Sequence, residues 1–144
     1  MRQFVIKLTL ALSGILLIVI GLSLMIAPRI FLAASAVHVE TDPGLMSEII
    51  APVGALILAG SWMVLGALQS RHTRSGLLIG FLVYGSYGLC RLIAMLLHGA
   101  PPKALMTAMA LELAIAALLL VLRIISGFAA SFGRVSEPRE PLPA

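Results

Sequence analysis

Arg91 lies inside the apolar run from Leu77 to Leu97, and Glu112 lies inside the next one, Ala104 to Leu122. On insertion scales a charge at the centre of a hydrocarbon layer costs roughly 2.5 to 3.5 kcal/mol, so a guanidinium and a carboxylate in successive spans are expected to neutralise each other. The pair offers a fixed fork of N–H donors beside a carboxylate acceptor. That chemistry suits holding a polar group, passing a proton, or locking two helices together.

Other polar residues gather around it. At 100° per residue, Gly80, Tyr84, Tyr87, Arg91 and His98 share one helical face. Counting from the outer ends, Arg91 is six residues inside Leu97 and Glu112 nine inside Lys103. Those depths are roughly 9 and 13 Å of helical rise, a difference that an arginine side chain spans. Glu48 falls about a turn and a half into a helix that starts at Asp42-Pro43, near the outer surface. The expectation is that Arg91 stands between Glu48 and Glu112, with Tyr87 one turn away as a hydrogen-bond partner. The formal sum of Glu48, Arg91 and Glu112 is −1, which calls for a protonated carboxylate, a bound cation or solvation of Glu48. Two uses stay open: a purely structural clasp, or a polar pocket of Glu48, Tyr84, Tyr87, Arg91 and Glu112 that opens outward to a small molecule, a lipid head group or a proton.

Other chemistries find little footing. There is no Gly-rich phosphate loop, HExxH, CxxC or serine nucleophile elbow. Ser13, Ser23, Ser47, Ser61, Ser86 and Ser126 have no His and Asp arrangement beside them. His98 and His38 read as solvated loop histidines, Met46, Met63, Met95, Met106 and Met109 as packing, and Trp62 as a mid-span packing residue. No catalytic residue, metal site or cofactor is expected.

The elements that must position the pair follow from composition. The chain is 60% hydrophobic and 11% charged with a mean hydropathy of +1.10, values of an integral membrane protein. A span takes about 20 apolar residues, and the segments 8–27, 49–68, 76–97 and 104–122 meet that length. Short connections at Gln69 to Ser75 and His98 to Lys103 make consecutive helices antiparallel neighbours. The expected fold is all-α: an integral membrane four-helix bundle over 1–132 with a flexible cytoplasmic tail over 133–144. On the second helix, Glu48, Ala51, Pro52, Ala55, Ala59, Trp62, Gly66 and Gln69 form one stripe of mostly small residues, read as bundle interior.

The net charge of +4 does not point to nucleic acid, because the basic residues are scattered at span ends. With both termini cytoplasmic, Arg2, Lys7, Arg71, Arg74, Arg123, Arg134 and Arg139 lie inside and only Arg29 and Lys103 outside, a positive-inside pattern. The first apolar stretch exceeds the 7 to 15 residues of a signal-peptide core, so it is expected to be retained despite the Ala34-Ser35-Ala36 triplet. Pro28 ends it, and Arg29 to Val39, with Ile30, Phe31 and Leu32, suits a short piece lying in the outer interface. Pro52 can kink the second helix. Cys90, alone, excludes an internal disulfide.

The stretch Tyr84 to Leu120, with Gly-Leu-Cys-Arg at 88–91, His-Gly-Ala-Pro at 98–101 and Leu-Glu-Leu at 111–113, resembles small four-helix bacterial membrane proteins grouped as domain of unknown function family 4345. The resemblance implies a Gly-x-x-Arg on the third helix, here Gly88 and Arg91, a turn at Gly99 and Pro101, and Glu112 on the fourth. Glu48, Ala51 and Gly54 are similar to the start of the family's second helix. This chain has Ile50 where the family often has arginine, and His98 where an acid usually precedes the glycine. The resemblance implies bacterial inner-membrane residence in multi-pass form and no established activity. The sequence therefore reads first as a non-enzymatic accessory or complex-forming subunit whose partners are the lipid bilayer, itself or a larger membrane complex. It reads second as a small-molecule or lipid-binding, proton-linked membrane protein.

Overall fold

A computed structural model describes residues 1–37, 39 and 42–135, with side chains followed as far as Gly127. His38, Glu40 and the expected tail from 136 lie outside the described residues. All regular elements among them are helical: α1 (Arg2–Ile26), α2 (Pro28–Ala33), α3 (Pro43–Ile50), α4 (Val53–Leu68), a 3-10 turn (Ser70–His72), α5 (Thr73–His98) and α6 (Lys103–Val135). Four stretches are long and apolar enough to cross a membrane: Arg2–Ile26, Pro43–Leu68, Ser70–His98 and Lys103–Gly127.

Proline and glycine set most of the breaks. A proline has no N–H to continue the helical ladder and disfavours helical backbone in the residue before it. Accordingly Ala27, just before Pro28, leaves the helical region at φ −140° and ψ 59°. Pro43 takes the first helical position of α3, and the Asp42 carboxylate accepts the N–H of Leu45 at 2.7 Å, the capping read from sequence. Pro52 divides α3 from α4 while the backbone on both sides stays near helical, so the second span is one kinked rod. Gly99 ends α5 at φ +94°, a conformation only glycine adopts without strain. The fourth helix does not stop at Leu122 but continues through Val135.

The helices pack in the order α1, α4, α5, α6, with α1 against α4 and α5 against both α4 and α6, while α1 and α6 meet only sparsely. The closest approach is between α1 and α4. A Cβ on Gly14 would stand 2.7 Å from the Gly60 carbonyl oxygen, and one on Gly60 would stand 2.5 Å from that of Gly14. Leu10, Met63, Leu77 and Leu119, one from each long helix, fill the centre.

The face that α4 turns inward differs from the expected stripe. Val53, Leu56, Ala59, Gly60, Met63, Gly66 and Ala67 are buried, whereas Ala51, Pro52, Ala55 and Trp62 are exposed. Every residue from Val53 to Leu68 is apolar, small or weakly polar, so polarity gives little phase information along it, and the kink at Pro52 breaks the phase counted from Glu48. Trp62 lies toward the turn between α4 and α5, where its indole N–H donates to the Ser75 hydroxyl at 3.1 Å and its ring meets His72 edge-on at 5.3 Å.

Candidate functional site

Arg91 and Glu112 meet. The Arg91 Nε–H donates to both carboxylate oxygens of Glu112, at 3.2 Å to Oε1 and 3.1 Å to Oε2. It is the one ion pair among the described residues, and it is not buried: the side chains are 35% and 17% exposed. The contact uses only the Nε edge of the guanidinium. Among the described residues neither Nη group has a partner; an arginine carries five N–H donors and one is engaged here.

The exposure has a structural source. Where α1 and α6, which meet only sparsely, do not close on each other, a cavity of about 400 Å³ lies between α1, α5 and α6. Its walls are aliphatic, from Leu16, Leu17 and Ile20 on α1, Leu56 on α4, and Ala108, Leu111 and Ile115 on α6. Phe31 and Leu32 of α2 close one side, so the segment expected to lie in the interface contributes a wall. The polar groups at the lining are Tyr84, Tyr87, Arg91, Glu112 and Ser35. The volume and the mixture of apolar wall with a few polar groups match small-molecule sites, which run from about 300 to 1,000 Å³.

A second hollow of about 330 Å³ lies on the other side of Arg91, bounded by His98, Gly99, Ala100 and Pro101, and it shares Leu105 with the first. Arg91 thus stands between two hollows. The turn after α5 that carries Gly99 and Pro101 supplies its rim.

Of the five residues expected to form the pocket, four come together and one does not. Tyr84, Tyr87, Arg91 and Glu112 line the cavity. Glu48 is exposed on α3, outside the lining, and makes no ion pair among the described residues. Glu48 lies on α3, before the interruption at Ala51-Pro52, and no residue of α3 lines the cavity. The expected excess of one negative charge therefore does not arise, since Arg91 and Glu112 balance each other.

Tyr84 has a role the sequence did not show. It is 3% exposed, and its hydroxyl donates at 2.7 Å to the backbone carbonyl of Ser13 on α1. Because α1 and α5 are not close partners along most of their length, this bond pins them at the floor of the cavity. Tyr87 lies one turn further toward Arg91 with its ring on the core, and it does not take the hydrogen bond to Arg91 expected of it. The aliphatic wall from α1 was also missed, because nothing in an unbroken apolar helix marks the residues that face a void. Phe31 and Leu32 could have been found, as large apolar residues in a short segment next to the polar pair.

No curated protein and no solved structure matches the chain. The family model described as a domain of unknown function (DUF4345) matches residues 5–123, which contain the whole cavity and the Arg91–Glu112 pair, and the chain belongs to that family.

Proposed function

We propose that this chain is a multi-pass protein of the bacterial inner membrane that binds a small apolar or amphiphilic molecule, with the polar end of the ligand at Arg91 and Glu112. The observation that carries the reading is the cavity itself: about 400 Å³ of mainly aliphatic wall ending at a guanidinium with unused donors beside a carboxylate acceptor. An ion pair serving only as a clasp needs no void next to it, and side-chain packing would ordinarily fill one.

Large apolar residues on the outside, among them Leu8, Leu12, Ile15, Leu58, Leu82, Leu96 and Leu97, suit a hydrocarbon surrounding. The basic residues at the Arg2 and Arg74 end favour a cytoplasmic position for that end by the positive-inside rule, and the cavity then belongs to the outer half. A ligand could then enter sideways from the bilayer, between α1 and α6. The second reading, an accessory subunit with Arg91 and Glu112 as internal clasp, draws on the same exposed apolar surface, which a partner helix or a second copy could cover; lipid covers it equally well.

The test is native mass spectrometry of the protein purified in a neutral detergent, beside an Ala108→Trp variant that fills the cavity from α6. A discrete adduct on the unaltered protein that disappears in the variant is the expected result. Adducts that are absent, or that persist unchanged in Ala108→Trp, sink the reading.

A further inference from the structure

At the end of the bundle opposite Arg91 lies a hollow of about 370 Å³ with a different character. Arg2, Gln3 and Lys7 of α1, Ser70 of the 3-10 turn, and Thr73 and Arg74 at the start of α5 line it. Among the described residues, no acidic side chain does. The acidic residues among those described, Asp42, Glu48 and Glu112, belong to α3, its cap and the Arg91 cavity, and none pairs with Arg2, Lys7 or Arg74. Arg123 adds a fourth cation at the edge, its guanidinium donating at 2.8 Å to the Arg74 carbonyl.

Arg2, Lys7 and Arg74, three cations with no acidic partner among the described residues, repel each other around one concavity, an arrangement that an anion relieves. A charge scattered only to set topology has no need to converge on a hollow. The hydroxyl of Thr73 is already donated to the Gly66 carbonyl at 2.8 Å, and that of Ser126, also on the lining, to the Arg123 carbonyl at 2.8 Å. The donors open to a ligand are therefore the guanidinium and ammonium groups, the Gln3 amide and the Ser70 hydroxyl. The hollow also lies at the N-terminal, positive end of α5, a 26-residue helix. Strong cationic donors, few neutral ones and no acceptor carboxylate suit a phosphate oxyanion. Basic hollows between spans on the cytoplasmic side are where anionic lipid head groups dock.

We propose that this hollow is a phosphate-binding site, made by Arg2, Lys7 and Arg74, for the head group of an anionic phospholipid or for a soluble phosphate. The occupant bridges α1 and α5, whose direct contact is slight, and so links two helices that are otherwise joined mainly through α4.

The full chain in a neutral detergent, titrated with phosphatidylglycerol, phosphatidylcholine or inorganic phosphate and read by native mass spectrometry and thermal unfolding, tests it. Phosphatidylglycerol should bind at least tenfold more tightly than phosphatidylcholine and raise the unfolding temperature. Lys7→Gln and Arg74→Gln should each remove most of that preference, and Arg74→Lys should keep much of it. Arg71→Gln, which changes a cation at the same end outside the hollow, should leave it intact. Inorganic phosphate that competes at millimolar concentration identifies the soluble source; failure to compete identifies the lipid. Loss of preference to the same degree in Arg71→Gln means diffuse attraction to a basic end and overturns the proposal. So does an unaltered preference in Lys7→Gln and Arg74→Gln, or none in the unaltered protein. If Arg74→Gln does not fold, as circular dichroism will show, Lys7→Gln decides.

Discussion

The Arg91 Nε–H is shared between both oxygens of Glu112 on the next helix, which satisfies the carboxylate from one side and leaves both Nη groups without a partner among the described residues, at a residue that lines the cavity and the second hollow. Removing one partner leaves the other charge unpaired, whereas removing both leaves none. Breaking a fully buried pair costs about 3 to 5 kcal/mol; with 35% and 17% exposure, we expect about 1 to 3 kcal/mol from Arg91→Leu or Glu112→Met alone. The double variant should recover most of the loss while abolishing ligand adducts. Thermal unfolding of the four proteins, set out as a double-mutant cycle, checks the first part. Strictly additive losses would mean that the two charges do not depend on each other, and a double variant that still carries the adduct would take the pair out of the binding site.

Tyr84 gives a separate handle on the cavity floor. In Tyr84→Phe the ring and its packing stay and only the donor to the Ser13 carbonyl is lost. That carbonyl lies within α1, whose ladder bonds it further along the helix, so it is not left bare. The expected cost is about 1 kcal/mol, the usual net worth of a neutral hydrogen bond. The readout is the unfolding temperature together with ligand adducts, because α1 and α5 should loosen at the cavity. A variant as stable as the parent with undiminished binding would show that the bond positions nothing.

How much of this was legible in the sequence follows the same physics. Arg91 and Glu112 stood out because charge is rare in an apolar run, and helix ends stood out wherever Pro28, Asp42, Pro43 and Gly99 impose backbone geometry. The inward face of α4 did not, since in a wholly apolar helix the residues that face neighbours differ from the others in size and shape rather than polarity. Glu48 was misplaced for a related reason: its phase was counted through Pro52, where the helix kinks. The Tyr84 bond to Ser13 was out of reach, because its acceptor is a backbone atom that every residue carries. The cavity was out of reach as well, being made by the failure of α1 and α6 to close on each other.

Gly14 and Gly60 mark where α1 and α4 cross most closely, and the obstruction there is backbone on both sides. Gly14→Ala or Gly60→Ala should push the two helices apart, at about 1 to 3 kcal/mol each, the typical cost of overpacking. Gly54, on the same helix, has open space where a Cβ would go. Gly54→Ala should therefore be neutral, or stabilising by up to about 1 kcal/mol through helix propensity. Unfolding of the three variants in one detergent distinguishes a packing effect from a general intolerance of alanine. Equal losses at all three positions would remove the close crossing as the cause.

The turn after α2 holds a correctable strain. Ala36 takes φ +59°, a left-handed conformation that costs an L-residue roughly 1 to 2 kcal/mol. It does so to close the helix end: the Val37 N–H reaches back to the Leu32 carbonyl at 3.0 Å and the Ala36 N–H to that of Ala33 at 2.9 Å, the pairing in which glycine usually occupies this position. Leu32 and Val37, joined by the first of those bonds, both line the cavity, so the turn sets its wall. Ala36→Gly removes the steric cost but adds freedom to the unfolded chain, which takes back about 0.4 to 1 kcal/mol. The net expectation is a gain of about 0.5 kcal/mol with ligand adducts unchanged. Replacement by a β-branched residue, Ala36→Val, should lose stability and weaken the adduct, since the wall residues Leu32 and Val37 would move with the turn. A rise in stability for Ala36→Val, or a fall for Ala36→Gly, would mean that the turn in the folded protein is not left-handed at Ala36.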